Sequence, residues 1–411
     1  MDAGAAGPLS HLRVLDLSRI LAGPWAGQLL GDYGADVVKI ERPGAGDDTR
    51  GWGPPWMPDA AGRDTGDAAY FLCANRNKLS VTADITRPEG QAIVRALARQ
   101  SDVVIENFKV GGLAAYGLDY ASLRAEHPAL VYCSITGFGQ TGPYAPRAGY
   151  DFLIQGMGGL MSVTGRRDGE PGAGPQKVGV ALTDVLTGLY ATTAILAALA
   201  HRDRTGQGQH IDLALLDVQV ASLANQTMNY LVSGTAPGRM GNAHPNIVPY
   251  QDFPTRDGAM IIAVGNDAQF ARLAAVAGHA AWAGDARFAT GPARVANRAA
   301  FVAAFGAVSV ARTTAEWIVA LEAVGVPCGP INDLAEVFAD PQVVARGLQT
   351  AMAHGAGAEV QLVANPVRMS ATPPSYRLPP PLLGAHTRAV LADRLGMGEA
   401  EIDALAARRL I

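Results

Sequence analysis

Short β-branched runs alternate with helical segments over the first 140 residues of the chain. The opening run, residues 12–18, leads into a helical segment at 23–34 that ends at a glycine. The remaining runs that we interpret as strands lie at 35–41, 78–84, 102–108 and 129–139. Alternating units of this kind form a parallel sheet that is covered by helices on both faces. The sequence therefore predicts an α/β fold.

One helix of this region carries a recognisable start signal. The segment from about Pro88 to Gln100 has a helical pattern, and Pro is tolerated in the first turn of a helix. Thr86 and Glu89 have the spacing of a capping box, in which each side chain accepts a hydrogen bond from a free backbone N–H group. We therefore expect Thr86 to cap this helix.

Composition changes after residue 233. Residues 234–246, GTAPGRMGNAHPN, are rich in Pro and Gly, and Ala-rich helical segments follow to about Gly325. We interpret 234–330 as a separate, smaller domain. Near the C-terminus, residues 365–387 contain six prolines and are expected to form an extended strap over a surface.

Charge and cysteine content narrow the functional classes. The 33 Lys and Arg against 37 Asp and Glu residues give a net charge of −4, too even for a nucleic-acid footprint or a basic membrane surface. The 3 cysteines are far apart and odd in number, which supports neither a disulfide framework nor a Cys-rich zinc site. The N-terminal residues show no secretory signal. We expect a cytoplasmic protein with a small-molecule substrate and no metal, nucleic-acid or membrane partner.

Common catalytic and nucleotide-binding motifs are not found in the sequence. No G-x-G-x-x-G follows the first strand, which argues against a dinucleotide site. The P-loop, the G-x-S-x-G elbow and the H-E-x-x-H zinc motif are also missing. The chemistry must therefore rest on residues outside these motifs.

The segment 177–200, KVGVALTDVLTGLYATTAILAALA, carries a single charge after Lys177, at Asp184. A membrane span needs roughly 20 apolar residues, but Asp184, Gly188 and several threonines dilute this run, which favours a buried core helix. Asp184 has two interpretations. It caps a helix start, which is worth about 0.3–1 kcal/mol, or it acts as a covalent nucleophile among small residues that let a ligand approach.

Seven stretches, in order along the chain, resemble the class III CoA-transferases, the family of formyl-CoA transferase and carnitine CoA-transferase. They lie at 13–52, 75–108, 135–144, 147–165, 179–217, 324–331 and 381–391. The resemblance implies a Rossmann-like parallel sheet in a large domain built from both chain ends, residues 1–233 and 331–411, with 234–330 as a smaller inserted α+β domain. It also implies an interlocked homodimer in which each chain forms a ring threaded by the other.

The resemblance implies a mechanism as well. In this family the Asp of a D-x-x-[TS]-G stretch is the nucleophile, and Asp184 matches it. The carboxylate would attack the thioester carbonyl of an acyl-CoA donor to give a mixed anhydride and CoA thiolate. The thiolate would then form an aspartyl-CoA thioester, and a carboxylic acid acceptor would reverse the sequence. Position and exclusion of water favour such a path, and the glycines within 155–161 are expected to bring N–H groups to the developing oxyanion.

Site residues follow from the same resemblance. Those matched to coenzyme A binding are Ala22, Arg42, Ala83, Asp84, Ile85, Asn107, Phe108 and Lys109. Arg42 and Lys109 would meet the CoA phosphates, with Arg76 or Lys78 as helpers, because this chain lacks the arginine that some relatives carry near Tyr116. The acyl pocket is expected to contain Arg147, Tyr150, Asp151 and Gln155.

Two alternatives to a transferase remain open at this point. The α-methylacyl-CoA racemases of the same family use a histidine in a G-H-D motif, whereas this chain has Tyr150 in that position. A tyrosine with its ordinary pKa near 10 is poorly suited to proton exchange at neutral pH. A noncatalytic CoA-binding protein is the other alternative, but it would not need Asp184. We therefore favour an acyl-CoA:carboxylate CoA-transferase.

Overall fold

The computed structural model describes residues 7–411, and their packing divides the chain into two units. The first unit comprises the described residues up to Leu160, together with Val178–Met228 and Gln342–Ile411. The second comprises Met161–Lys177 and Asn229–Pro341. The predicted small domain, 234–330, lies inside the second unit, which also takes in residues that the sequence analysis assigned to the large domain.

The strands are short and occur in both units. They are β1 Arg13–Asp16, β2 Asp36–Glu41, β3 Trp56–Pro58, β4 Asp64–Ala68, β5 Lys78–Thr82, β6 Val103–Glu106, β7 Val131–Thr136, β8 His210–Ala214, β9 Tyr250–Pro254, β10 Ala259–Ala263, β11 Cys328–Gly329, β12 Gln349–Ala353 and β13 Glu359–Val363.

The α-helices vary more in length than the strands do. They are α1 Ala22–Asp32, α2 Ala69–Leu72, α3 Pro88–Ala98, α4 Tyr120–Glu126, α5 Asp151–Met157, α6 Leu160–Val163, α7 Leu182–Thr205, α8 Leu215–Ser222, α9 Asn225–Ser233, α10 Asp267–Val276, α11 Gly291–Ala296, α12 Arg298–Ser309, α13 Thr314–Glu322, α14 Leu334–Ala339, α15 Pro341–Ala345, α16 Thr387–Leu395 and α17 Glu399–Ala407. Short 3₁₀ helices lie at Asp48–Gly51, Ala114–Tyr116 and Ala280–Gly284.

Six strands of the first unit form one sheet in the order β5-β2-β1-β6-β7-β8, and every neighbouring pair is parallel. Successive residues of β6 face opposite sides: Val103 and Ile105 pack in one core cluster and Val104 packs in the other. All three are fully buried, as expected for a parallel sheet covered on both faces. The predicted α/β fold with a parallel sheet is confirmed.

The start of α3 corrects one prediction. The helix begins at the predicted proline, but its N-cap residue is Arg87, which makes no side-chain capping bond. The Thr86 hydroxyl and N–H instead donate to Asp84 Oδ1, at 2.6 and 3.0 Å, and Glu89 pairs with Arg408. The predicted capping box is therefore wrong, because Thr86 is hydrogen-bonded to a nearer carboxylate and Glu89 is paired with an arginine that is distant in the sequence.

The predicted apolar helix is α7, which ends at Gly206 in the left-handed conformation. By length and composition it is the one helix of the described residues that could cross a membrane, with a mean hydropathy of 1.5, and half of its most apolar window is buried inside the protein. A bent pair, α12 and α13, passes the same test only when the two helices are taken together.

The proline-rich strap forms as predicted. Within the described chain, residues 364–386 adopt neither helix nor strand. They are tied to the rest of the first unit by backbone hydrogen bonds from Ser375 N–H to the Asp32 carbonyl and from Asn77 N–H to the Leu378 carbonyl, both 2.8 Å long. After the strap, α16 and α17 pack their apolar faces into the core cluster of the sheet.

The second unit contains a three-stranded antiparallel sheet in the order β11-β10-β9. Aromatic side chains fill its core: Phe253 lies 4.8 Å from Phe305 between ring centroids, and Phe305 stacks on Phe301 at 5.9 Å. Trp317 is fully buried and donates its indole N–H to the Ser309 carbonyl at 2.6 Å.

Candidate active site

A cavity of about 750 Å³ lies in the first unit along the carboxyl ends of the sheet strands. Arg42 follows β2, residues 83–86 follow β5, residues 107–110 follow β6 and Gly137 follows β7, and all of these line it. An open parallel sheet binds its ligand at this edge, because the loops that leave the strand ends meet there. The cavity is the candidate active site.

Most of the residues predicted for the site share this cavity. Those that line it are Ala22, Arg42, Ala83, Asp84, Ile85, Asn107, Phe108, Lys109, Arg147, Tyr150 and Asp184. Asp151 and Gln155 are outside the lining. The cavity thus collects the residues matched to coenzyme A binding, together with the matched nucleophile.

The loop between β1 and α1 adds residues that sequence reasoning missed. Arg19 and Ile20 line the cavity, and Ile20 has φ +73°, which is unusual for a β-branched side chain. Its N–H donates to Asp47 Oδ1 at 3.2 Å. Asn107 fixes the backbone of Arg19, the residue before Ile20. Its side chain accepts a hydrogen bond from the Arg19 N–H at 2.9 Å and donates one to the Arg19 carbonyl at 2.7 Å. No local sequence signal marks this conformation.

Four cationic side chains line the cavity. Arg19 is paired with Asp48 at 2.7 Å. Arg42, Lys109 and Arg147 are exposed and make no ion pair with any described residue. These three are available to an anionic ligand.

Arg76 and Lys78, which the sequence suggested as additional phosphate-binding residues, are unavailable to a ligand. Arg76 is buried and pairs with Asp32 at 2.5 Å, and Lys78 is buried and pairs with Asp16 at 2.9 Å. Neither lines the cavity. The suggestion that they assist phosphate binding is wrong, because both charges are consumed inside the fold.

The position of Asp184 follows from the packing of α7 on α1. A Cβ atom on Gly188 would lie 2.8 Å from the Ala22 carbonyl oxygen and 2.9 Å from Trp25 Cβ, so only glycine allows this approach. The approach brings the first turn of α7 to the cavity, where Asp184 is 7% exposed. The N-cap residue is Ala181, without a side-chain capping bond, so Asp184 is not the cap of its own helix.

Asp151, on the neighbouring helix α5, caps the N-terminus of α7. Its Oδ1 accepts the Thr183 N–H at 2.8 Å and the Asp184 N–H at 3.3 Å. Gln155 donates to Asp151 Oδ2 at 2.7 Å and accepts the Val178 N–H at 2.9 Å. Asp151 and Gln155 therefore fix the backbone of the first turn of α7 from behind the cavity wall.

This arrangement leaves the Asp184 carboxylate without compensation. Burial, followed by the nearby Asp151 charge, raises the pKa of Asp184 to about 7. Within residues 7–411 no cation pairs with the Asp184 carboxylate and no donor is hydrogen-bonded to its side-chain oxygens. A poorly solvated carboxylate of raised proton affinity, open to a cavity, has the character of a nucleophile or a base.

The glycines within 155–161 were predicted to bring N–H groups to the reacting centre, but they do not approach the cavity. None of them lines it. A Cβ atom on Gly158 would lie 2.5 Å from Gln219 Cγ and 2.8 Å from the Ile154 carbonyl oxygen, so this glycine serves helix packing. The backbone that does line the cavity near Tyr150 belongs to Gly137 and Gly149.

In the part of the chain that the structure describes, no group of three or more His, Cys, Asp or Glu side chains is arranged to hold a metal ion. The described cysteines, Cys73, Cys133 and Cys328, are all free. Asp184 is a carboxylate that lines the cavity and has a raised pKa.

A parallel α/β sheet, free cations at its strand ends and a buried, uncompensated carboxylate together indicate an enzyme with a site for an anionic ligand. Comparison with known proteins gives the family. The model of CoA-transferase family III matches residues 9–387, and the chain belongs to this family. It is a CoA-transferase enzyme.

Individual relatives agree with this assignment. The chain is 55% identical to the succinate–glutarate CoA-transferase of Agrobacterium fabrum, over 94% of this chain and 95% of that protein. It is 44% identical to the succinyl-CoA:glutarate CoA-transferase of Mus musculus, over 98% and 90%. The crystal structure of a CAIB/BAIF family protein from Brucella suis superposes with a TM-score of 0.83 at 52% identity and covers 95% of this chain and 100% of that one.

Proposed function

We propose that Asp184 is the covalent nucleophile of a CoA transfer between two carboxylic acids. The observation that carries this proposal is a carboxylate that is 7% exposed, faces the cavity and has no cationic partner among the described residues. An ion pair would stabilise the carboxylate in its resting state. Without one, the anion keeps its basicity and its nucleophilic character.

In the proposed sequence, an oxygen of Asp184 attacks the thioester carbonyl carbon of the acyl-CoA. A C–O bond forms, the C–S bond breaks, and the thiolate leaves with the electron pair. The thiolate then attacks the side-chain carbonyl carbon of Asp184, which releases the first acid as its carboxylate and leaves an aspartyl-CoA thioester. The acceptor carboxylate repeats these two steps in reverse and regenerates Asp184.

The strand ends supply a fitting site for the CoA portion of this substrate. Apolar side chains after β5 and β6, among them Ile85 and Phe108, suit the adenine ring. Arg42 and Lys109 are free to bind phosphates, the first through a planar set of donors and the second as a point charge. We propose that Ala22, Ala83, Asp84 and Asn107 complete this binding surface.

The acids exchanged are proposed to be short dicarboxylates. Both relatives named above are called succinate or succinyl-CoA and glutarate transferases, and at 55% identity we expect this chain to share that substrate class. Tyr150 is 60% exposed at the cavity wall, where its hydroxyl can orient the acyl group without removing an α-proton.

We also propose that the enzyme is a cytoplasmic, interlocked homodimer, with residues 1–233 and 331–411 forming the large domain and 234–330 the small one. Exposed apolar side chains on α5, α7 and α8 support a covered face: Leu153, Leu189, Tyr190, Leu196 and Val220 are each at least 37% exposed. Free cysteines fit a reducing compartment. Light scattering should give twice the mass of 42.6 kDa at every dilution, and a monomer would contradict the assembly.

The nucleophile is tested with Asp184→Ala and Asp184→Asn. Both variants should lose transfer from succinyl-CoA to glutarate by at least about 10⁴-fold, because the covalent step has no other donor of the carboxylate. CoA affinity, measured by calorimetry, should change by less than about threefold. Substantial residual transfer in a folded variant that binds CoA would refute the assignment of Asp184.

A further inference from the structure

We propose that Arg147 binds the distal carboxylate of the dicarboxylate acyl group and thereby selects dicarboxylic over monocarboxylic acids; this inference rests on the proposed function. The first observation is the state of the guanidinium group. Arg147 is exposed, lines the cavity and makes no ion pair with any described residue. Among the described residues, its one polar side-chain contact is from Nη2 to the sulfur of Met157 at 3.9 Å, and this sulfur is a weak acceptor.

Aromatic rings hold this guanidinium in place. Its central carbon lies 4.6 Å from the ring centroid of Tyr144 and 5.1 Å from that of Phe138. Stacking on ring faces fixes a planar cation while it leaves the N–H edges unused. Those edges match a carboxylate in size and geometry, and two parallel hydrogen bonds can form.

The backbone around Arg147 is also fixed. A Cβ atom on Gly137 would lie 2.6 Å from Gly149 Cα, and a Cβ atom on Gly149 would lie 2.4 Å from Gly137 Cα. The loop that carries Arg147 is therefore pressed against the end of β7, and it continues directly into α5. The N-terminal residue of α5, Asp151, binds the backbone of Asp184. A short, connected path thus ties the cation to the nucleophile.

Sheet order separates Arg147 from Arg42, one of the two cations suited to phosphates. Arg42 follows β2, whereas Arg147 lies in the loop after β7, and two strands separate these in the sheet. Neighbouring strands are about 4.8 Å apart, which places the two strand ends roughly 14 Å from each other. The nucleophile helix α7 packs against β7 and β8. Arg147 therefore belongs to the acyl end of the cavity, and Arg42 to the opposite end.

The chemistry of the substrate completes the inference. An acid that carries a second carboxylate brings a second charge into the cavity, where a cation can pair with it. Among the cations that line the cavity in the described residues, Arg19 is already neutralised by Asp48. Arg42 follows the distant strand β2, and Lys109, which follows β6 beside β7, is assigned to the CoA phosphates by the proposed function. Arg147 remains as the partner; a dicarboxylic acid gains an ion pair from it and a monocarboxylic acid gains nothing, so the arginine favours the dicarboxylic acid.

The test compares glutarate with pentanoate as acceptors, with succinyl-CoA as the donor, in the wild type, Arg147→Met and Arg147→Lys. In a ping-pong sequence, kcat/KM for the acceptor reports only the half-reaction in which the free acid enters. We expect Arg147→Met to lower kcat/KM for glutarate by about 10- to 100-fold, to change the value for pentanoate by less than about threefold, and to leave CoA affinity unchanged. Arg147→Lys should recover part of the glutarate activity.

Lys109→Met is the matched control, because it removes a cation from the same cavity at a different strand end. It should weaken CoA binding and leave the preference for glutarate over pentanoate unchanged. Equal losses with both acids in Arg147→Met, or weakened CoA binding in that variant, would overturn the assignment. If the wild type transfers CoA to neither acid, the proposed function itself is refuted, and this outcome is distinguishable from a failure of the Arg147 assignment alone.

Discussion

Two groups of buried carboxylates lie in the first unit and differ in their partners. At the end of β1, Asp16 pairs with Lys78, and in the loop after β2, Asp47 pairs with Lys39. Each pair is 2.9 Å long, and all four side chains are fully buried. At the start of α7, Asp184 has only another carboxylate, Asp151, as its charged neighbour in the described chain. One group is neutralised and the other is not.

The pKa values reflect this difference. Burial alone would raise the pKa of Asp47, but the Lys39 ammonium group and hydrogen bonds from Thr49 lower it to about 2. For Asp184, burial and the Asp151 charge act in the same direction and raise the pKa to about 7. The fold can pair buried carboxylates with cations, and it does so where they support a loop. It leaves unpaired the carboxylate that faces the cavity, which is the arrangement a nucleophile requires.

The largest loss of stability is expected in the neutralised group. Lys78→Met removes the ion-pair partner of Asp16. It leaves this buried carboxylate with only Ser18 and the more distant Lys39, which should lower the free energy of unfolding by about 3 kcal/mol in urea denaturation. The double variant Lys78→Met/Asp16→Asn should recover part of this loss. Arg388→Ala is the exposed control: it breaks a pair whose side chains are about 60% exposed and should cost less than about 1 kcal/mol. Equal losses in the buried and exposed variants would remove the contrast.

An effect of opposite sign is expected at Asp184. Because its folded-state pKa lies above its unfolded value, the folded protein binds more protons between these two values, and the contribution of Asp184 to stability is lost as pH rises toward about 7. Asp184→Asn has no carboxylate to ionise, so its stability does not fall in this way. The free energy of unfolding of the variant relative to that of the wild type should therefore increase by about 3 kcal/mol as the pH rises from about 5 to about 8. A stability difference that does not vary with pH would show that the carboxylate is compensated.

The third effect is a shift in the pH dependence of transfer. The kcat/KM of the wild type for the acyl-CoA donor should rise with an apparent pKa of about 7, since only the ionised Asp184 attacks. Asp151→Asn keeps an oxygen acceptor for the α7 backbone and removes the like charge, so the apparent pKa should fall by less than about one pH unit. An unchanged profile would mean that burial alone sets the pKa of Asp184.

Much of the fold could be predicted from local patterns. The strand runs and the long helix α7 depend on contiguous apolar residues, and the structure has them within a few residues of the predicted bounds. The start of α3 could not be predicted in detail, because Arg408, which pairs with Glu89, is 319 positions away in the sequence. Long-range partners compete with local capping signals, and a local spacing cannot reveal them.

The candidate site shows the same division. Residues at strand ends were found through the resemblance, because each stretch carries its own motif. Burial of charge was not predictable: Lys78 looks like a free cation until the sheet forms and brings Asp16, 62 positions away, to 2.9 Å. The left-handed conformation of Ile20 likewise depends on Asp47, which lies 27 positions further along the chain.

Trapping the covalent intermediate tests the role of Asp184 most directly. The enzyme is incubated with succinyl-CoA and then with hydroxylamine, which converts an activated aspartyl carbonyl into a stable hydroxamate, and peptide mass spectrometry locates the modification. We predict a hydroxamate on Asp184 in the wild type, no modification when the acyl-CoA is omitted, and none in Asp184→Ala. A hydroxamate on another carboxylate, or transfer to glutarate with no trapped residue at all, would contradict Asp184 as the nucleophile.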